Sequence, residues 1–277
     1  VIANLFTVAE LQPSALHGAL CEVLAVPDDA VDVADVDGDQ EARRWDSPVL
    51  CTYRVLPPGD LALELDLTVD DETAGALTEA ELARGLAART AASVLHPSPD
   101  LDLDSAYWVA TPDGRVVRCR LETIDSDEDT TYRVDAVEAQ VADLPRAKVE
   151  ILPEVLEHEL VATPLSDAFL AAYPQGTAAS VEGRVRHGLR VWERLVRRLE
   201  TAQWGPSGRY HRALYRRDLR ARDDLERLVP AAGEAYAQAL RTVVEQLDDG
   251  FRRSTARGAH PQGDRWWWNR NPSGVPW

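Results

Sequence analysis

Along residues 49–69 apolar and polar side chains alternate, first in VLCTYRV and then in LALELDLTV, which puts Leu61, Leu63, Leu65, Leu67 and Val69 on one face. A period of two belongs to a strand with one buried face, and the intervening PPGD carries turn residues, so the stretch predicts a β-hairpin. AYWVATPDGRVVRCRLE repeats this arrangement around Pro-Asp-Gly, and TYRVDAVEA adds a further strand. Strands joined by such short turns make an antiparallel sheet. ALCEVLAVPDDAVDV at 19–33 is echoed by AASVLHPSPDLDL at 91–103, each after a helical pattern and before a hairpin. The first half therefore reads as two copies of an α-β-β-β unit.

Past ADLPRAKVEILPEV the period changes. Val181, Val185, Gly188, Trp192, Leu195 and Leu199 recur at spacings of three and four, as do Tyr236, Leu240, Val243, Leu247 and Phe251, and both stripes are helix faces. RYHRALYRRDLRARDDLERLV turns Tyr210, Leu214, Ala221, Leu225 and Leu228 inward and its arginines outward. Together with ILPEVLEHELVATPLSDAFLAAY this predicts a three- or four-helix bundle, with GPSG reversing the chain between two of its helices. The expected organisation is α+β: an acidic antiparallel-sheet domain over 1–150, a helical bundle over 151–257 and a Trp-rich tail over 258–277.

Charge divides along the same line. Residues 1–147 hold 30 acidic and 10 basic side chains, a net −20, whereas 148–277 hold 17 and 20, a net +3. An N-terminal half so acidic repels nucleic-acid phosphates and attracts basic protein surfaces. Apolar runs are short and interrupted by charge, and no basic stretch leads into a hydrophobic segment with a cleavage site. No nucleic acid and no membrane is expected as a partner. Cys21, Cys51 and Cys119 are isolated and odd in number, which reads as three buried thiols in a reducing cytoplasm. Lys148 is the single lysine, a bias toward arginine that points to a GC-rich bacterial genome, and methionine is absent. Oligomeric state leaves no mark in the sequence.

Candidate chemistry is sparse. DVADVDGDQEARR approaches a calcium loop around Gly38, with Asp35 and Asp37 on ligand positions, but Val33 and Arg44 stand where the first and last ligands belong. Its acids Asp35, Asp37 and Asp39, like those of DLDLD and DSDEDTT, are expected to face solvent or a basic surface. Glu154 and His158 lie one helical turn apart without a second such pair, and the cysteines lack zinc-type spacing. No metal and no other cofactor is assigned. WGPSGRYHRALYRR opens a helix with Arg209, His211 and Arg212, where free amides and guanidinium groups favour an anion and His211 is able to move a proton near neutral pH. The arginines of RVRHGLRVWERLVRR flank a regular apolar stripe and are expected to pair with glutamates one turn away. No Gly-x-Ser-x-Gly, P-loop or dinucleotide fingerprint occurs.

The chain closes on DRWWWNRNPSGVPW, with Trp266, Trp267 and Trp268 side by side. In an extended tail neighbouring side chains point to opposite sides, so two surfaces must receive them, each indole burying roughly 150–250 Å². Such a tail reads first as a clasp on its own domains, then as an anchor for another protein, and last as a membrane or sugar contact. The leading functional expectation is a non-enzymatic protein-interaction module, an adaptor or an inhibitor such as an immunity-type protein, that binds a basic partner through its acidic half. Asp35, Asp37, Asp39 and the three tail tryptophans are its candidate contacts. The alternative is an enzyme or small-molecule binder that holds an anionic ligand near Arg209, His211 and Arg212.

Overall fold

The computed structural model describes residues 2–125, 130–173, 176–205, 207–258 and 264–277, with residues 156 and 157 described by their backbone alone. The acids at 126–129 in DSDEDTT thus lie outside the described residues. The chain forms two compact units, Val1–Leu152 and Pro153–Trp277.

The first unit runs β1 (Ile2–Thr7), α1 (Pro13–Leu24), β2 (Val31–Asp35), β3 (Val49–Val55), β4 (Leu63–Val69), α2 (Asp71–Ala74), α3 (Glu79–Thr90), β5 (Val94–Pro97), β6 (Ala106–Ala110), β7 (Val116–Asp125), β8 (Thr130–Val137) and β9 (Lys148–Val149). The strands make one nine-stranded sheet in the order β2-β3-β4-β1-β5-β6-β7-β8-β9. Both predicted hairpins form, β3 with β4 and β6 with β7. The sheet is nevertheless mixed, because β2 runs parallel to β3 and β8 parallel to β9. The segment 36–48 between β2 and β3 supplies the dozen or so residues a parallel return needs. A helix followed by three strands occurs twice, as α1-β2-β3-β4 and α3-β5-β6-β7. The first strand pairs parallel in one and antiparallel in the other.

Alternation along the strands serves a core on each sheet face. On one, Leu5, Leu65, Leu67 and Val94 meet Leu16 and Leu20 of α1 and Leu82 and Leu86 of α3. The two helices pack on each other, where a side chain on Gly85 would come within 2.7 Å of Val23. On the other face Phe6, Leu95, Val109, Cys119, Leu121 and Val137 are covered by Val141 and Leu144. Leu61 belongs to this second core, not to the face of Leu63, since it precedes the strand. Cys21, Cys51 and Cys119 are buried free thiols, and burial pushes Cys51 up to about 12. Thr78 and Glu81 close a reciprocal cap at the start of α3.

The second unit contains α4 (Val155–His158), α5 (Pro164–Ala172), α6 (Val181–Thr201), α7 (Arg212–Leu228), α8 (Glu234–Ser254), β10 (Thr255–Arg257) and β11 (Arg270–Pro272). α6 packs against α7 and α8, and α5 against α6 and α8. The predicted stripe of α6 is the buried one, with Trp192 fully enclosed and packed at a tilt against Phe251 at 4.7 Å between ring centroids. On α8 it is Val244 rather than Val243 that turns inward. Gly188 lets α7 approach α6, because a Cβ there would press on Leu225 at 3.1 Å. Glu193, fully buried on α6, accepts hydrogen bonds from the Leu165 and Ser166 amides at 3.0 and 2.7 Å, so its charge caps the N-terminus of α5. Among the described residues no helix is long and apolar enough to cross a membrane.

Candidate functional site

The segment joining β2 to β3 is long for a connection without regular strands or α-helix, and loops of that length in compact domains commonly carry function. It is strongly cross-braced. Asp35 accepts the Asp37 amide at 3.0 Å, and Asp39 caps a short 3₁₀ turn at Gln40–Ala42 by accepting the Glu41 amide at 3.0 Å. The Gln40 side-chain amide reaches the carbonyls of Asp35, Val36 and Gly38 at 3.0–3.2 Å. Arg43 is tucked in, donating to Asp32 at 2.9 Å and to Thr52 at 2.8 Å. Arg44 binds the Asp29 carbonyl at 3.0 Å and the Val31 carbonyl. The second of these bonds occupies a backbone acceptor at the start of β2, an edge strand of the sheet.

What this bracing presents is Trp45, 58% exposed. Its indole N–H donates to the Gln40 carbonyl at 3.2 Å, and the Arg43 guanidinium lies 4.5 Å from the ring centroid. Exposed Asp37, Asp39, Glu41 and Asp46 share the segment. A large aromatic held in place on a segment that also exposes several acids has the composition of a binding hot spot. Sequence reading singled out Asp35, Asp37 and Asp39 in this connection and passed over Trp45. The legible signal was an isolated tryptophan inside an Asp/Gly/Ser/Pro-rich connection rather than in an apolar stripe.

The tail tryptophans have a different setting. Residues Trp266–Asn269 form a 3₁₀ turn instead of an extended segment, so the three indoles fan out at about 120° steps. Trp267 is buried and donates to Asp223 of α7 at 2.9 Å, and Trp268 donates to the same carboxylate at 3.1 Å. Arg265 pairs with it at 2.6 Å. Trp266 lies against Phe251 and beneath Arg252. Arg222, expected to face outward, instead grips Asp248 of α8 with two 2.9 Å bonds and stacks on Trp267. β10 pairs with β11, and Trp277 returns to Tyr215. The tail is clasped to its own helical unit.

Arg209, His211 and Arg212 are all exposed at the start of α7, where His211 occupies the N-cap position without a capping bond from its side chain. Arg212 lies 5.8 Å from the Trp277 ring. Elsewhere on the unit, α6 and α7 enclose a cleft of about 770 Å³ lined by Arg184, Arg186, His187, Arg190, Arg194 and Arg227. Arg190 pairs with Asp167 and Arg227 with Asp224. The three residues expected at the anion site do not line this cleft.

Burial shifts two further titratable groups, His96 and Asp218. His96, Trp108 and Arg118 lie opposite one another across β5, β6 and β7, with the Arg118 guanidinium 4.1 Å from the indole centroid. Loss of hydration pushes His96 down to about 4, which keeps it neutral. In the helical unit burial pushes Asp218 up to about 7, although Tyr210 donates to it at 2.7 Å. Comparison of the chain with protein-family models, with curated proteins and with solved structures gave no match.

Proposed function

We propose that the protein is a non-enzymatic interaction module, an adaptor or inhibitor, that docks a basic protein on the braced segment between β2 and β3. The observation that carries this reading is Trp45, a large aromatic left more than half exposed in a connection braced by the Gln40 and Arg43 side chains. Trp45 is the anchor, and Asp35, Asp37, Asp39, Glu41 and Asp46 attract and orient the partner. Acids around the anchor act mainly on association rate and on discrimination between partners. The repeated helix-then-three-strands order also supports reading the sheet as a duplicated unit, in which this connection belongs to the first copy alone.

The test is native mass spectrometry of the gently purified protein at low and high salt, followed by affinity measurement with the basic protein that is released. Trp45→Ala is expected to weaken that complex about 30-fold or more, the loss of a hot-spot side chain worth about 2 kcal/mol or more. Neutralising Asp37, Asp39 and Glu41 together should flatten the salt dependence. A complex indifferent to both changes overturns the proposal.

A second reading, an anionic small molecule, is favoured by the arginine-lined cleft between α6 and α7. Arg184→Ala would abolish such binding if the cleft holds the anion, and Arg209→Ala would do so if the start of α7 holds it. A retained anion insensitive to both substitutions rejects both locations.

A further inference from the structure

The acidic corner beside the Trp45 segment holds a ligand set that neither functional reading uses. His17 and Cys21 lie one turn apart on α1, so both side chains leave the same face. Their Nδ1 and Sγ atoms are 3.8 Å apart. α1 ends at Ala25 in the left-handed region, and the Val26 amide returns to the Cys21 carbonyl at 3.0 Å. This reversal carries Asp28 back over the last turns, so that its carboxylate lies close to the Cys21 thiol. One nitrogen, one sulfur and one carboxylate oxygen thus fall within 4.8 Å of one another.

We propose that His17, Cys21 and Asp28 bind a divalent transition-metal ion of the zinc type, with solvent in the fourth position. A tetrahedral ion with bonds of about 2.0–2.3 Å places its ligands about 3.5 Å apart, so the nitrogen and sulfur already stand at nearly the required separation. The second ring nitrogen is equally informative. His17 Nε2 lies 3.1 Å from the Asp28 backbone carbonyl, an acceptor only, so Nε2 carries the proton and Nδ1 offers its lone pair toward Cys21. Metal-bound histidines are held by this kind of outer bond. Thiolate and carboxylate together balance the charge of a dication, and the thiol proton leaves to solvent on binding. Asp28 is exposed and His17 half-buried, which gives the ion an entry path. Cys51 and Cys119 are buried within the two sheet cores and serve as internal controls.

The experiment is a Co²⁺ titration of the chelator-treated full chain under reducing conditions, followed by thiolate-to-cobalt charge-transfer absorption, with Zn²⁺ as competitor. One equivalent should generate the band and Zn²⁺ should abolish it. Cys21→Ser should remove the band while leaving the melting temperature within a few degrees. His17→Ala and Asp28→Asn should each weaken binding by about tenfold or more, since even outer-shell losses cost 10- to 100-fold. If Cys21→Ser does not fold, the His17→Ala titration decides alone. No band in the wild type, a band that survives Cys21→Ser, or affinity unchanged in His17→Ala overturns the site.

Discussion

Among the described residues the acidic sheet unit buries one carboxylate, that of Asp32, whereas the helical unit, close to neutral, buries four: Glu159, Glu193, Asp218 and Asp248. The difference separates two uses of the same chemical group. In the helical unit each buried carboxylate answers a particular partner: Arg198 for Glu159, the α5 amides for Glu193, Tyr210 for Asp218 and Arg222 for Asp248. These groups hold helices together, and losing one partner would leave the other desolvated and unpaired. In the sheet unit the acids stay mostly at the surface, although Asp60, Asp100 and Asp143 still tie segments of the unit together. Net charge therefore locates a surface available to a partner and says little about what stabilises either unit.

Tryptophans sharpen the same contrast, because Trp45 is exposed on the sheet unit while Trp267 is buried on the helical one. Truncation after Arg257 tests it with the largest expected effect. Loss of Trp267 alone should cost about 3–5 kcal/mol, the range for deleting a large buried aromatic. Calorimetry should show a markedly lower melting transition, while Trp45→Ala should leave the transition within about 0.5 kcal/mol of wild type. An unchanged midpoint after truncation would end the clasp interpretation.

The units should also respond to pH in opposite senses. His96 is held near 4 in the fold against 6.5 when exposed, so between those values the unfolded chain binds more protons and the sheet unit gains stability as pH rises. Asp218 is held near 7 against 3.8, so the folded state binds more protons in that window and the helical unit loses stability as pH rises. Peptide-resolved hydrogen exchange across pH 4–7 should show these opposed trends. Asp218→Asn should flatten the trend in the helical unit and His96→Gln that in the sheet. Parallel trends in both units would contradict the assignment.

The smallest effect concerns two helix ends. Ala91 after α3 and Ala202 after α6 both adopt left-handed conformations, at φ of 53° and 52°. An L-residue there costs roughly 1–2 kcal/mol, part of which glycine recovers against its greater freedom in the unfolded chain. Ala91→Gly and Ala202→Gly should each raise the melting temperature by about 1–3 °C in scanning calorimetry. A fall in either would show that the methyl group contributes more packing than the conformation costs.

Amphipathic period and turn chemistry are local properties, so the α+β organisation, the two hairpins, the inward stripe of α6 and the change of pattern near residue 150 could be read directly from the sequence. Sequence determined the uneven charge for the same reason, since it needs no coordinates. Tertiary structure decided which acids became internal ligands, that β2 returns parallel to β3, that Leu61 joins the opposite core, and that the tail curls into a 3₁₀ turn over α7. It also brought His17, Cys21 and Asp28 to one point and left Trp45 uncovered. Each of these depends on where a distant segment lands: a carboxylate is buried only if a cation or amide meets it, and an indole stays exposed only if nothing packs on it. Periodicity records the face a residue prefers, and only the assembled fold supplies the neighbour that fills or vacates that face.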